Sequence, residues 1–286
     1  MTDVRPNPEL TFTFDLEDHR PTGEGRSKFD KSFVSATDRV LGYLEERDIK
    51  GTFFVVGELA DSEPDLLKRV SNSGHEIACH SLDHTVLTRQ TPQQFHHHSR
   101  TAKSKLEDVT GKPVTGYRAP VFSLIPQTKW AIDVLGELGF TYSSSTLPAG
   151  NPLHGFPGLP KQPFRWENGL LEIPVPTGQI FGVKLPHLGG IYFRYLPEFL
   201  INRLDERSKR HIGRWTYCHP YDFERGETYF RINGASHLVS ILLWFKRHRN
   251  FEKFDRFVHR SGTQYAAPFE TQIKAGVFDG VQTTTG

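Results

Sequence analysis

Three short clusters in this chain carry side chains suited to acid–base and metal chemistry. Asp15-Leu16-Glu17-Asp18-His19 sets three carboxylates within four positions. Their mutual repulsion calls for a cation, or for a division into base and acid. His80-Ser81-Leu82-Asp83-His84 places two imidazoles four residues apart, a spacing at which both reach one metal ion from a turn or from one helix face. Tyr217-Cys218-His219-Pro220 adds a third histidine. Singly, each cluster has a plain reading: a solvated acidic loop, an ordinary histidine pair, a hydrogen-bonded structural imidazole. Together, two imidazoles and one carboxylate leave coordination positions open, as a metal that activates water requires.

The elements that must position these groups are legible from hydrophobic period. Leu10 to Phe14 reads as a strand ending at the acidic cluster, Gly51 to Gly57 as a second strand, and His75 to Cys79 as a third that delivers the histidine pair. Thr115 to Tyr117, Phe140 to Tyr142, Leu171 to Val175 and Trp215 to Cys218 read as further short strands. Helical spacing runs through Phe33 to Arg47, the segment from Pro64 to Gly74, Thr91 to Val109, Thr128 to Leu138, and Pro197 to Ser208. Two more helices are expected at Ala235 to Lys246 and Asn250 to Val258, and the Pro- and Gly-rich stretch Leu147 to Phe164 reads as loop. Strand–helix alternation of this kind argues for a parallel sheet, doubly wound or closed as a barrel. Each chemical cluster falls just after a strand, where such folds collect functional residues.

Length and charge bound the alternatives. The chain has 286 residues, enough for one large α/β domain, and neither an internal repeat nor a long linker divides it. We expect a single catalytic domain over residues 1–286, with 225–286 as a helical C-terminal extension. Lys and Arg number 35 against 33 Asp and Glu, a net of +2, and no basic stripe suited to nucleic acid stands out. No stretch approaches the ~20 apolar residues of a membrane span. The opening Met1 to Pro8 lacks an apolar core of the signal-peptide kind, from which a cytoplasmic location is expected. Two cysteines, Cys79 and Cys218, make no disulfide framework and read as small buried strand residues in a reducing compartment. Oligomeric state leaves no trace in the sequence.

In order along the chain, these motifs resemble those of the NodB-homology polysaccharide deacetylases, carbohydrate esterase family four. Thr13-Phe14-Asp15 resembles the family's first motif and Gly74 to His84 the second; Gly116-Tyr117-Arg118-Ala119-Pro120 resembles the third. Phe140 to Ser145 stands where the fourth belongs, and Cys218-His219-Pro220 where the fifth does. The resemblance implies a distorted (β/α) barrel of about seven parallel strands. It implies Asp15 as general base, Arg118 as its orienting partner, His80 and His84 as metal ligands, and His219 as general acid. The metal implied is a divalent ion, zinc first, with cobalt, nickel, iron or manganese as alternatives. The substrate implied is an N-acetylated carbohydrate. A backbone N–H just after Pro120 would help hold the oxyanion. Gly189 to Arg194 and His219 to Phe223 resemble a subgroup linked to exopolysaccharide synthesis; Gly190, Arg194 and Tyr221 from these stretches, with Pro120 from the third motif, are the expected substrate contacts.

Two positions depart from the family pattern. Leu16 separates the base from the next carboxylate, so Asp18 is the expected third ligand by identity and Glu17 its competitor. Ser143 stands where the fourth motif usually begins with an aspartate, which leaves His219 either a weaker acid or in need of another partner such as Asp222. His96-His97-His98 reads as a solvated helix face, Lys246 to Arg249 as ordinary surface, and Trp166, Trp215 and Tyr221 as either core or a sugar groove. Two rival functions fit less of the constellation: an amide hydrolase of the allantoinase kind, and a carbohydrate-binding protein with decayed catalysis.

Overall fold

The computed structural model describes residues 9–21, 26–150, 154–180, 182–206, 208, 211–224, 226–231 and 236–284. The expectation drawn from Met1 to Pro8 lies outside these residues, as do Arg207, Arg225 and Ala235 of the segments expected above.

Six strands form a continuous parallel run in the order Leu171–Glu172, Tyr142–Ser143, Gly116–Tyr117, Glu76–Cys79, Thr52–Val55 and Thr13–Leu16. Parallel bridges Thr11↔Trp215 and Phe14↔Cys218 add the 215–218 segment as a seventh member, and Gly189↔Tyr217 continues beyond it. The Trp215 indole Nε1 donates to the carbonyl of Pro174 at 3.0 Å, tying the last member to the far end of the run. Phe164–Trp166 joins the outer edge antiparallel to Leu171–Glu172, and Thr283–Thr284 pairs beside it. The architecture is thus α/β with a mostly parallel central sheet, as expected.

Because strand side chains alternate, the sheet sorts its residues into two cores. Phe53, Val55, Ile77, Cys79 and Tyr117 pack outward with helix residues such as Val40, Leu44, Leu67, Leu106 and Leu135. Phe54, Ala78, Tyr142, Ile173, Trp215 and Tyr217 form the inner cluster. Phe14 and Leu16 belong to the outer core, so Thr13 and Asp15 face inward. At the opposite end of the sheet, Thr52 Oγ1 and the Tyr142 hydroxyl each donate to Glu76 at 2.7 Å. The N-terminus of the Phe269–Lys274 helix covers this end, its Glu270 N–H donating to the same carboxyl at 3.1 Å. Burial pushes the Glu76 carboxyl up, against these hydrogen bonds.

The helices follow local signals closely. Thr91 caps the long helix Pro92–Thr110 in a reciprocal box with Gln94, Pro92 opens the first turn, and Gly111 ends it at φ 65°. Helices expected around residues 33–47, 64–74, 128–138 and 197–208 appear as Ser32–Glu45, Pro64–Asn72, Ala131–Glu137 and Glu198–Asp205. His96, His97 and His98 lie on Pro92–Thr110, and Cys79 and Cys218 are buried free thiols. The short helix Gly190–Tyr195 and the hairpin of Gly178–Ile180 with Val183–Leu185 carry too little period to be read from sequence.

Candidate active site

Inward alternation brings Asp15 at the end of its strand, His80 one residue past Glu76–Cys79, and Arg118 one past Gly116–Tyr117 to one rim of the sheet. Arg118 is fully buried and joins three strands. Its Nη1 donates to Asp15 Oδ1 at 2.5 Å and to Thr13 Oγ1 at 2.9 Å, and its Nη2 donates to Ser144 Oγ at 3.1 Å. Its guanidinium carbon lies 3.7 Å from the centroid of Phe54 and 4.1 Å from that of Trp215. A charge this deep is tolerated because it is paired, hydrogen-bonded and sandwiched between ring faces. Burial lowers the Arg118 pKa and Asp15 opposes the shift.

His80 is buried, and its Nδ1 lies 2.9 Å from the carbonyl oxygen of Arg118. Only a protonated Nδ1 satisfies a carbonyl, so Nε2 is left as the available lone pair. Burial drops this imidazole to about 4, so it is neutral near pH 7. His84 reaches the same point from a loop held by its own N–H donating to Ser81 Oγ at 2.9 Å. Ser81 and His84 both take positive φ, 66° and 63°. Non-glycine residues adopt this conformation at a cost, and functional sites are where such strain collects.

Glu17, rather than Asp18, completes the group. Its Oε2 sits 2.8 Å from His84 Nε2, and one donor atom each from Glu17, His80 and His84 lie within 4.8 Å of one another. Burial works against the Glu17 carboxylate, yet His84, together with His219 and His80, outweighs it and holds the group well below the usual carboxylate range. His84 is raised in turn, Glu17 outweighing burial. Asp18, the residue expected here by identity, instead faces Arg20, which donates to it from Nε at 2.9 Å and from Nη2 at 2.7 Å. The Leu16 insertion explains the change: it keeps the strand period, so Leu16 packs in the outer core and Glu17 returns to the rim shared with Asp15.

His219 Nε2 lies 3.8 Å from Asp15 Oδ2, and its Nδ1 lies 3.1 Å from Asp222 Oδ2. The other Asp222 oxygen accepts from Arg194 Nη2 at 2.7 Å. Burial works to lower the His219 pKa, but Asp222 raises it overall. Asp222 is lowered in turn, Arg194 and His219 outweighing burial. Ser143, at the position expected to hold an aspartate, donates to Ser145 Oγ at 2.8 Å, whereas its neighbour Ser144 is the one that meets Arg118. Neither serine brings a charge to His219; Asp222 does.

Of the expected substrate contacts, Tyr221 lines the cavity at this rim and stacks on His219 at 4.7 Å and 10°. Pro120 is buried and opens a turn that puts Val121 on the cavity wall with φ 48° and ψ 28°. Arg194 and Gly190 take other places. Arg194 is buried and committed to Asp222. Gly190 is buried beneath Tyr217, where an added Cβ would come within 2.8 Å of the ring. Trp166 and Trp215 are core residues, which leaves Tyr221 as the aromatic of the three that reaches the cavity. That cavity, of about 820 Å³, is also walled by Glu17, His84, Glu63 and Leu243. Sequence reading missed Thr13 and Ser144 as partners of Arg118. Counting inward positions in steps of two from Asp15 and Tyr142 would have found both.

Comparison with known proteins gives the domains that this chain resembles. Residues 10–143 match the family described as "Polysaccharide deacetylase", and residues 144–266 match "Domain of unknown function (DUF3473)". The peptidoglycan-N-acetylmuramic acid deacetylase PdaA of Bacillus subtilis is 35% identical over 107 residues, 35% of this chain and 41% of that protein. The peptidoglycan-N-acetylglucosamine deacetylase PgdA of Listeria monocytogenes is 32% identical over 108 residues, 35% of this chain and 23% of that protein. The match thus spans less than half of either relative. A crystal structure described as a polysaccharide deacetylase from Mycobacterium smegmatis superposes with a TM-score of 0.66 at 20% identity, over 100% of this chain and 96% of that one. A family 4 acetyl xylan esterase from Clostridium thermocellum superposes at 0.50 and 15% identity, over 95% of this chain and 92% of that one. At these identities the likeness is one of fold. Residues 10–143 thus carry the match to a polysaccharide deacetylase domain, and the residues after them complete the same sheet and supply His219 and Asp222.

Proposed function

We propose that this chain is a metal-dependent hydrolase that removes N-acetyl groups from an amino sugar in a polysaccharide or glycan precursor. The observation that carries the reading is the joint placement of Asp15, His219 and the Glu17–His80–His84 group at one rim, with Asp15 and His219 3.8 Å apart. The donor set fits a divalent ion. Two imidazoles and one carboxylate converge, His80 presents Nε2, and Glu17 with His84 holds the charge of an ion pair where a cation would stand. A borderline metal such as zinc suits these ligands, with cobalt, nickel, iron(II) or manganese as alternatives. When bound, it would supply Lewis-acid polarisation of the acetyl carbonyl and of the attacking water.

The protein groups do the rest. Arg118 pins one Asp15 oxygen, which leaves Oδ2 to take the proton from water as its oxygen attacks the acetyl carbon. A backbone N–H just after Pro120, in the left-handed turn that brings Val121 to the cavity wall, would receive the developing oxyanion. His219, with Nδ1–H held by Asp222, delivers the Nε2 proton to the departing amine as the C–N bond breaks. The products are acetate and a free amino sugar. Tyr221, stacked on the acid, offers a ring face to the sugar. Among relatives, the names of PdaA and PgdA specify deacetylation of peptidoglycan sugars, and the acetyl xylan esterase was solved with a cobalt ion. The subgroup resemblance points to an exopolysaccharide as the glycan. The two free buried thiols, Cys79 and Cys218, support a reducing, cytoplasmic setting. The first test is metal content by mass spectrometry: about one divalent ion per chain, lost in a His80→Ala/His84→Ala variant, supports the reading. No metal even after reconstitution with zinc or cobalt refutes it.

A further inference from the structure

The helix His237–Trp244 turns Leu238, Val239 and Leu242 toward solvent. Its sequence is His-Leu-Val-Ser-Ile-Leu-Leu-Trp, yet Ser240 is its one buried residue. Leu238 is 66% exposed, and Phe245, just past its end, is 60% exposed. A surface helix ordinarily does the reverse, burying the apolar stripe and showing the polar one.

The helix is held by its backbone. Arg194 Nη1 donates to the carbonyl oxygens of Leu243 at 2.6 Å and Phe245 at 3.2 Å. Arg247 Nε donates to Leu243 O at 2.8 Å, and the Tyr195 hydroxyl to Leu242 O at 2.7 Å. Cationic donors at a helix C-terminus both satisfy the last carbonyls and complement the dipole. Anchored this way, and packed through Trp244 on Phe230 and Arg247, the helix leaves Leu238, Val239, Leu242 and the following Phe245 free for another surface.

The surroundings indicate which surface. Residues 236–249 contain no Asp or Glu. Lys246 and Arg249 are exposed directly after the helix, while Arg247 is buried against Glu227 at 2.7 Å. Tyr229 packs edge-on against Trp244 at 5.3 Å, giving the patch the amphipathic aromatics typical of a membrane interface. Leu243 is a wall of the cavity that also holds Glu17, His84 and Tyr221, so the apolar patch runs into the site's mouth. A symmetric contact with a second copy would bring Lys246 and Arg249 toward their own likenesses across the interface; an anionic bilayer would complement them.

We propose that the helix His237–Trp244, with Phe245, Lys246 and Arg249, seats the protein on the surface of an anionic lipid bilayer and sets the cavity mouth against it. Among the described residues no helix is long and apolar enough to cross a membrane, and the mode is one of lying in the interface. The substrate such a site meets is a glycan carried on a membrane lipid; this part rests on the proposed deacetylase activity, whereas the docking rests on the helix alone.

The test is co-sedimentation of the full chain with vesicles of phosphatidylglycerol and phosphatidylcholine, beside vesicles of phosphatidylcholine only. Binding to the anionic vesicles is expected, weakened about tenfold or more in Leu238→Gln/Phe245→Gln and made less salt-sensitive in Lys246→Gln/Arg249→Gln. Thermal unfolding and acetate release from a short soluble N-acetylated sugar should be unchanged in both variants. No sedimentation with anionic vesicles overturns the proposal, as does undiminished binding by the Leu238/Phe245 variant. A dimer that this variant abolishes, with no vesicle binding, also overturns it. Vesicle binding without acetate release would sustain the docking and refute the activity.

Discussion

Asp222 stands between His219 and Arg194, its Oδ2 3.1 Å from His219 Nδ1 and its Oδ1 2.7 Å from Arg194 Nη2. The histidine is therefore oriented by a residue three positions along its own turn, while the family's usual fourth-motif position holds a serine. A carboxylate at Nδ1 fixes the imidazole's orientation and favours its charged form, the two properties a general acid needs.

The pH dependence of turnover should report this pairing. Burial alone would lower His219, and Asp222 raises it, so removing the carboxylate should let the pKa fall. The protonated acid would then be lost at lower pH. In Asp222→Asn the basic limb of kcat/KM should move toward acid pH, and kcat near neutrality should drop about tenfold or more. A basic limb that stays in place in this variant would separate Asp222 from the acid's function.

Asp15→Asn and His219→Ala should differ in stability though both lose activity. Each should lower kcat by roughly 100- to 10,000-fold. Asp15 is the charged partner of a fully buried arginine, and breaking such a pair costs on the order of 3 kcal/mol. His219 is partly exposed, so its truncation should cost less. Denaturant unfolding of the metal-free proteins checks the order: equal stabilities would mean that Phe54, Trp215, Thr13 and Ser144 hold the Arg118 charge without Asp15.

Metal affinity should separate the two neighbouring carboxylates. Glu17→Gln should weaken zinc or cobalt binding by at least about tenfold, and Asp18→Asn should leave it nearly unchanged, since Asp18 is engaged by Arg20. Competition with a chromophoric chelator measures both. Comparable losses in the two variants would put Asp18 back in the donor set.

Thr91→Ala tests the scaffold apart from the chemistry. It removes the side-chain half of the cap on Pro92–Thr110 and should cost about 1 kcal/mol, read by thermal unfolding, with activity unaffected below the transition.

Much of the scaffold was legible because it is written in local chemistry. The Thr91–Gln94 box, Pro92 and Gly111 mark one helix outright, and the runs ending at Phe14 and Cys79 mark two strands. The positions of Asp15, His80, Arg118 and His219 followed from placing them at strand ends. Glu17 over Asp18 was harder, since residue type favours either; the strand period past Leu16 decides it, along with Arg20, whose reach depends on the folded loop. Arg194 was expected at the substrate because its stretch resembles a subgroup motif, and a motif does not show Asp222 lying across from it. Gly190 looked functional for a similar reason, when its lack of a side chain serves close packing under Tyr217. The outward apolar helix ran against a sequence rule, since a helical apolar run is ordinarily read as core.

The central claim is a metal-assisted deacetylation centre built from Asp15, His219 and the Glu17–His80–His84 group. The measurement that tests it most directly is acetate release from an N-acetylglucosamine oligomer, before and after removal of the metal by a chelator. The account predicts one acetate for each amine formed, activity abolished by chelation and restored by zinc or cobalt, and none in His80→Ala/His84→Ala. Acetate release that persists undiminished without metal, or its absence from protein carrying one metal ion per chain, would contradict it.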